Sequence, residues 1–248
     1  MPRSIQFMLA FAVLLASGCA LSDAQRNRSV YHYQMGQSFY AESNFSGALQ
    51  EFTEAEKLTP KDPALLNDLG LAYFRKGRYD LAEPKYLKAI ALKPGYSEAR
   101  NNLGVNYLEM KRWDDAIFQF TAVQNDIFFQ GQDGAVINLG LAYLGKGDYQ
   151  QALGLLRGAV GRNPSDPRTR IHLGRVYFAL DKTELAVEEY RRALELNRSY
   201  ANAHYHLALA LVKLKNLAGA RSAFNEVLRI APDSEIGQLS REYLDLLK

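Results

Sequence analysis

The sequence predicts an all-α chain: six stacked helix pairs closed by one C-terminal helix. Three observations carry that prediction. Segments beginning at Ser29, Pro63, Ser97, Asp133, Pro167 and Ala201 align at steps of 34, 34, 36, 34 and 34 residues, the mark of one repeated supersecondary unit. Each segment has a small residue at its eighth position and alanine at its twentieth. Beyond the last segment, Ile236, Leu239, Tyr243 and Leu246 recur at helical spacing with charged residues between them.

The residue types at fixed positions follow from packing. The eighth position reads Gly36, Gly70, Gly104, Gly140, Gly174 and Ala208, and the twentieth reads Ala48, Ala82, Ala116, Ala152, Ala186 and Ala220. Two antiparallel helices approach closely only where no large side chain separates them, so these positions mark the crossing. An aromatic or leucine at the eleventh (Phe39, Tyr73, Tyr107, Tyr143, Tyr177, Leu211) fills the gap beside it. The twenty-fourth (Phe52, Tyr86, Phe120, Leu156, Tyr190, Phe224) is expected to offer the second helix's bulk to the next repeat, because one repeat cannot bury its apolar face alone. Pro60, Pro94, Pro164 and Pro232 close four repeats, since proline lacks an N–H and clashes with the preceding turn. Pro84 lies early in a second helix, where at most a local distortion is expected.

This pattern resembles the tetratricopeptide repeat over residues 29–234. The resemblance implies a right-handed α-solenoid with repeats at 29–62, 63–96, 97–132, 133–166, 167–200 and 201–234, and residues 235–248 as a capping helix.

Residues 1–18 read as an export signal: Arg3 supplies positive charge, and Ile5 to Ala16 forms an apolar run too short to span a bilayer. Leu15-Ala16-Ser17-Gly18-Cys19 resembles a bacterial lipobox, with Ala16 where the family pattern more often has leucine. The resemblance implies cleavage before Cys19 and covalent lipid (diacylglycerol and palmitate) on its thiol, and Cys19 is the chain's one cysteine. Ala20, rather than aspartate, follows it, which resembles outer-membrane sorting. The expectation is a lipoprotein on the periplasmic face of the outer membrane, with residues 19–28 as anchor and tether.

A formal charge of +3 with interleaved acids and bases gives no field for nucleic acid. One cysteine can build neither an internal disulfide nor a cysteine-based metal site. His32, His172, His204 and His206 form no convincing ligand set, although His172 and His206 share the sixth position of consecutive repeats. No phosphate loop, HExxH or nucleophile elbow appears. The expectation is a non-enzyme without cofactor or metal.

In such a solenoid the first helices line a concave groove. Its expected lining is Tyr33, Gln37, Tyr40, Asn67, Leu71, Phe74, Asn101, Val105, Leu108, Ile137, Leu141, Leu144, Ile171, Arg175, Phe178, Tyr205, Leu209 and Val212. That stripe is more apolar than a free surface requires, so a protein-binding face is expected, part of it packing between neighbouring helices. Lysine and asparagine at positions five and nine, with which some tetratricopeptide co-chaperones clamp a C-terminal carboxylate, are absent from the first three repeats. An amphipathic helix or extended apolar segment is the expected ligand. The two extra residues fall between Val123 and Gln132, where Phe128 and Phe129 replace the closing proline. They either lengthen a turn or add a contact.

The lipobox, the six repeats and the lengthened turn together resemble the type IV pilus pilotin family, lipoproteins that help the pilus secretin reach the outer membrane and multimerise. The resemblance implies a secretin or another pilus assembly protein as partner. A scaffold for a different envelope complex (cell-wall synthesis, outer-membrane protein assembly or cytochrome maturation) is the rival expectation.

Overall fold

The computed structural model describes residues 22–247. Thirteen α-helices and no strands occur among the described residues. They fall into two compact units, one ending at Tyr96 and one beginning at Ser97.

The first unit holds α1 (Asp23–Ala41), α2 (Phe45–Leu58), α3 (Pro63–Arg75) and α4 (Tyr79–Leu92). Cys19 and the export signal lie outside the described residues, but the stretch expected as a tether is helical from Asp23 onward. The reason is a capping box: Gln25 N donates to Ser22 Oγ at 3.2 Å, and Ser22 N donates to Gln25 Oε1 at 3.2 Å. Ser29 is already buried, its hydroxyl 2.7 Å from that of Thr59 on the neighbouring helix end. Asp62 caps α3 by accepting from Ala64 N and Leu65 N, with Pro63 at the first helical position. Pro84 is tolerated inside α4, which continues to Leu92.

The second unit holds α5 (Ser97–Glu109), α6 (Trp113–Gln124), α7 (Gln132–Lys146), α8 (Tyr149–Arg162), α9 (Pro167–Ala179), α10 (Thr183–Leu196), α11 (Ala201–Lys213), α12 (Leu217–Ile230) and α13 (Glu235–Leu246). α13 packs on the last pair through Tyr243, whose ring stacks on Phe224 at 5.1 Å. Its apolar face is rotated from the one expected: Leu244 and Leu247 join the core, and Leu246 is 81% exposed. Leu244 and Leu247 sit one and four residues past Tyr243, on the turn that meets α12.

The crossing geometry explains the invariant small residues. All six alanines at the twentieth position are 0% exposed. A Cβ at Gly70 would lie 2.5 Å from the Tyr86 ring, and one at Gly174 would lie 2.5 Å from the Tyr190 ring. The residue at position twenty-four therefore lies over the glycine of its own repeat as well as toward the next, which corrects the simpler expectation. Phe52 does both, covering Gly36 and sharing a cluster with Leu65 and Leu69.

Each pair turns in the same way. The fifteenth residue is left-handed in all six repeats, at Ser43, Gly77, Lys111, Gly147, Asp181 and Lys215, with φ between 56° and 90°. The next residue's N–H donates to the carbonyl of position eleven, as from Asn44 to Phe39 at 2.8 Å and from Asn216 to Leu211 at 2.9 Å. This six-to-one bond ends the first helix and aims the second back along it.

Candidate protein-binding surface

The first helices of each unit leave a pocket between adjacent repeats. In the first unit it measures about 200 Å³ and is lined by Gln37, Tyr40, Phe52, Asp68 and Leu71. Asp68 sits at its polar edge. Tyr33 Oη donates to Asp68 Oδ2 at 2.8 Å, Gln37 Nε2 donates to the same oxygen at 3.3 Å, and Asn67 Nδ2 donates to Oδ1 at 3.4 Å. Burial nevertheless outweighs these donors and raises the Asp68 carboxyl above its ordinary value, while burial and the adjacent carboxylate raise the Tyr33 phenol.

In the second unit a pocket of about 360 Å³ is lined by Leu144, Gly145, Tyr149, Arg175, Phe178, Ala179, Tyr190, His206 and Leu209. Here the polar group is a cation. The hydrogen bond given to Arg175 is a long one, 3.5 Å from Nη1 to His172 Nδ1. The sixth-position histidines are neighbours: burial, then the positive field of Arg175, lowers both to about 4, and His172 also feels His206. They are neutral at pH 7. His206 stacks on Tyr190 with ring centroids 5.7 Å apart. Among the described residues no group of three or more His, Cys, Asp or Glu could hold a metal ion.

The expected groove residues divide. Gln37, Tyr40 and Leu71 meet in the first pocket, and Leu144, Arg175, Phe178 and Leu209 meet in the second. Tyr33 serves the first by fixing Asp68. Phe74 packs on Tyr79, 5.3 Å between centroids, and Asn101, Val105, Leu108 and Leu141 are half-buried along their helices. Ile137, Tyr205 and Val212 are packed against core clusters. Asn67 and Ile171 are corrections: they are 0% and 3% exposed and offer no surface. Ile171 packs instead into the cluster that the last two repeats share.

The lengthened turn also divides. Phe128 is 88% exposed beside Ile127 at 79%, whereas the Phe129 ring folds over Gly131. Asp126 holds the turn by accepting from Phe128 N at 3.0 Å and from the Ser97 hydroxyl. Asp68 was missed by the sequence reading. It stands at position six, one turn before Leu71, and the i, i+3 relation between positions six and nine was the available signal.

Profiles described as "Tetratricopeptide repeat" match residues 33–97, 143–190 and 201–234, and one described as "TPR repeat" matches 174–215. The chain is a tetratricopeptide-repeat protein. Such repeats form protein-interaction scaffolds. The bovine BBSome complex member BBS4 is 22% identical over 199 residues, 80% of this chain and 38% of its own length. This chain spans less than half the length of the curated relatives it matches. Among solved structures, the Pseudomonas aeruginosa PilF is similar with a TM-score of 0.70 at 18% identity, over 89% of this tetratricopeptide-repeat chain and 100% of PilF. PilW, described as a widely conserved type IV pilus biogenesis factor, is similar with a TM-score of 0.77 at 18% identity, over 85% of this chain and 97% of PilW. At these identities the likeness shows the repeat fold.

Proposed function

We propose that this tetratricopeptide-repeat protein is a non-catalytic pilotin: lipid-anchored through Cys19 at the periplasmic face of the outer membrane, it binds the type IV pilus secretin and assists its localisation and multimerisation. The observation that carries the binding role is that Leu71 in one unit, and Leu144, Phe178 and Leu209 in the other, stay partly exposed and line open pockets over the core. Fold similarity along nearly the full length of PilF and PilW supports the pilus context. Acyl chains contribute about 0.8 kcal/mol per buried CH₂, so two or three of them hold such a domain to a bilayer.

Deletion of the gene, followed by semi-denaturing detection of secretin multimers and a twitching assay, tests the reading. Loss of multimers and of movement is expected, and so is loss of palmitate labelling in Cys19→Ser. Normal multimers in the deletion strain would end the pilus reading and leave another envelope complex as the one served.

A further inference from the structure

Arg175 differs from the arginines that pair with acids elsewhere on the chain. Arg170 pairs with Glu189 at 3.0 Å, Arg162 with Asp133 at 2.8 Å, and Arg112 with Asp115 at 2.7 Å. Arg175 has no carboxylate among the described residues, although it is half-buried on α9 with its fork in the pocket of the second unit. Its polar neighbours, His172 and His206, are neutral and carry no compensating charge. A partly desolvated guanidinium without a counter-charge is unfavourable, and the five donors of that planar fork match a carboxylate better than any other group of a protein partner. Around it, Leu144, Phe178 and Leu209 give the pocket an apolar wall.

We propose that this pocket is a seat for an internal acidic side chain, Asp or Glu, of a bound segment whose adjacent apolar side chain rests on Leu144, Phe178 and Leu209. The seat sits on one arginine at position nine with histidines at position six, not on the lysine and asparagine pattern that clamps chain termini. The inference rests on the partner-binding reading above, though not on the partner being a secretin. Charge complementarity selects the occupant: an apolar segment alone would bury Arg175 further without pairing it, and a basic segment would repel it.

The test is selection of a randomised dodecapeptide library, displayed without free C-termini, on the purified full chain and on Arg175→Met, with Arg198→Met as a control for lost surface charge. Wild type and Arg198→Met are expected to enrich peptides with Asp or Glu beside an apolar residue. Arg175→Met is expected to keep the apolar preference and lose the acidic one. For the strongest synthetic peptide, amidated, Glu→Gln should weaken binding at least about tenfold to wild type and less than about threefold to Arg175→Met, the coupling expected of a charge-assisted pair. Enriched peptides without an acidic excess, or with one that survives Arg175→Met, would overturn the seat and leave peptide binding standing. Tight binding only of peptides with a free terminal carboxylate would overturn it too. No enrichment at all would remove the partner-binding face and the seat with it. Because the arginine is unpaired, Arg175→Met should melt no lower than wild type; a loss of several degrees would make the residue structural and sink the proposal.

Discussion

In the first unit the pocket closes on a carboxylate; in the second it opens on a guanidinium. The two are built from equivalent parts of the repeat, a first helix on either side and an aromatic from position twenty-four behind, Phe52 in one and Tyr190 in the other. They differ in satisfaction as much as in sign. Asp68 spends both oxygens on Tyr33, Gln37 and Asn67, so its charge is held within the fold. Arg175 reaches only a neutral imidazole and keeps donors for something outside. One repeat geometry can therefore carry a self-contained polar site and an unfilled one, according to which residues occupy positions six and nine.

The largest expected effect breaks both pockets at their shared base. Gly36→Leu and Gly174→Leu would evict the Phe52 and Tyr190 rings, which lie 2.4 and 2.5 Å from where a Cβ would stand. Each should cost about 3 kcal/mol or more in urea denaturation, since a packed core resists added volume. Gly140→Ala, which faces the more pliable Leu156 side chain at 2.9 Å, should cost less than half as much.

Next in size, and sharpening the contrast of charge, are two leucines. Leu71→Glu puts a second carboxylate in the Asp68 pocket, where it should weaken both partner capture and stability, because like charges in a half-buried site repel. Leu209→Glu puts one in the Arg175 pocket, where it can pair internally. It should reduce capture in a crosslinking pull-down by about tenfold while leaving the melting temperature at or above wild type. Equal loss of stability in both variants would erase the distinction drawn between the pockets.

The pH responses should run in opposite directions. His172 and His206 have folded values near 4, below the ordinary 6.5, so the unfolded chain takes up more protons between those limits. Their stabilising contribution is complete above about pH 6.5 and is lost as pH falls toward 4. Asp68 is raised, so the folded form binds the extra proton between 3.8 and its higher value, and stability from that site is lost as pH rises through that window. Hydrogen exchange followed by residue at pH 7 and pH 5 should show α9 and α11 loosening on acidification, whereas α3 should not. His206→Gln should flatten the response of the second unit.

The smallest effects probe the turns. Lys215→Gly should stabilise by about 0.5–1 kcal/mol, because a left-handed residue with a Cβ carries strain that glycine avoids. Gly147→Ala, at φ 90°, should cost about 1 kcal/mol in thermal or urea unfolding.

Those turns show where the sequence stops being readable. Only Gly77 and Gly147 announce a left-handed fifteenth residue; Ser43, Lys111, Asp181 and Lys215 adopt it without any local sign, held by the six-to-one bond and by the packing of the helices it joins. The Ser22–Gln25 capping box marks the start of α1, yet the repeat pattern begins only at Ser29, so the stretch before it looks like a tether in the sequence. Helical period, the glycine and alanine crossings and the aromatic fillings are properties of residues within one 34-residue window, so the helix pairs, their number and their crossing points can be read from the chain alone. The tertiary structure alone decided that Asn67 and Ile171 are core, that Leu247 rather than Leu246 meets α12, that Tyr33 holds Asp68 and that Arg175 is left without an acid. The physical reason is that a side chain's solvent and partners come from the next repeat, some thirty residues away, and no local period encodes which charge will be waiting there.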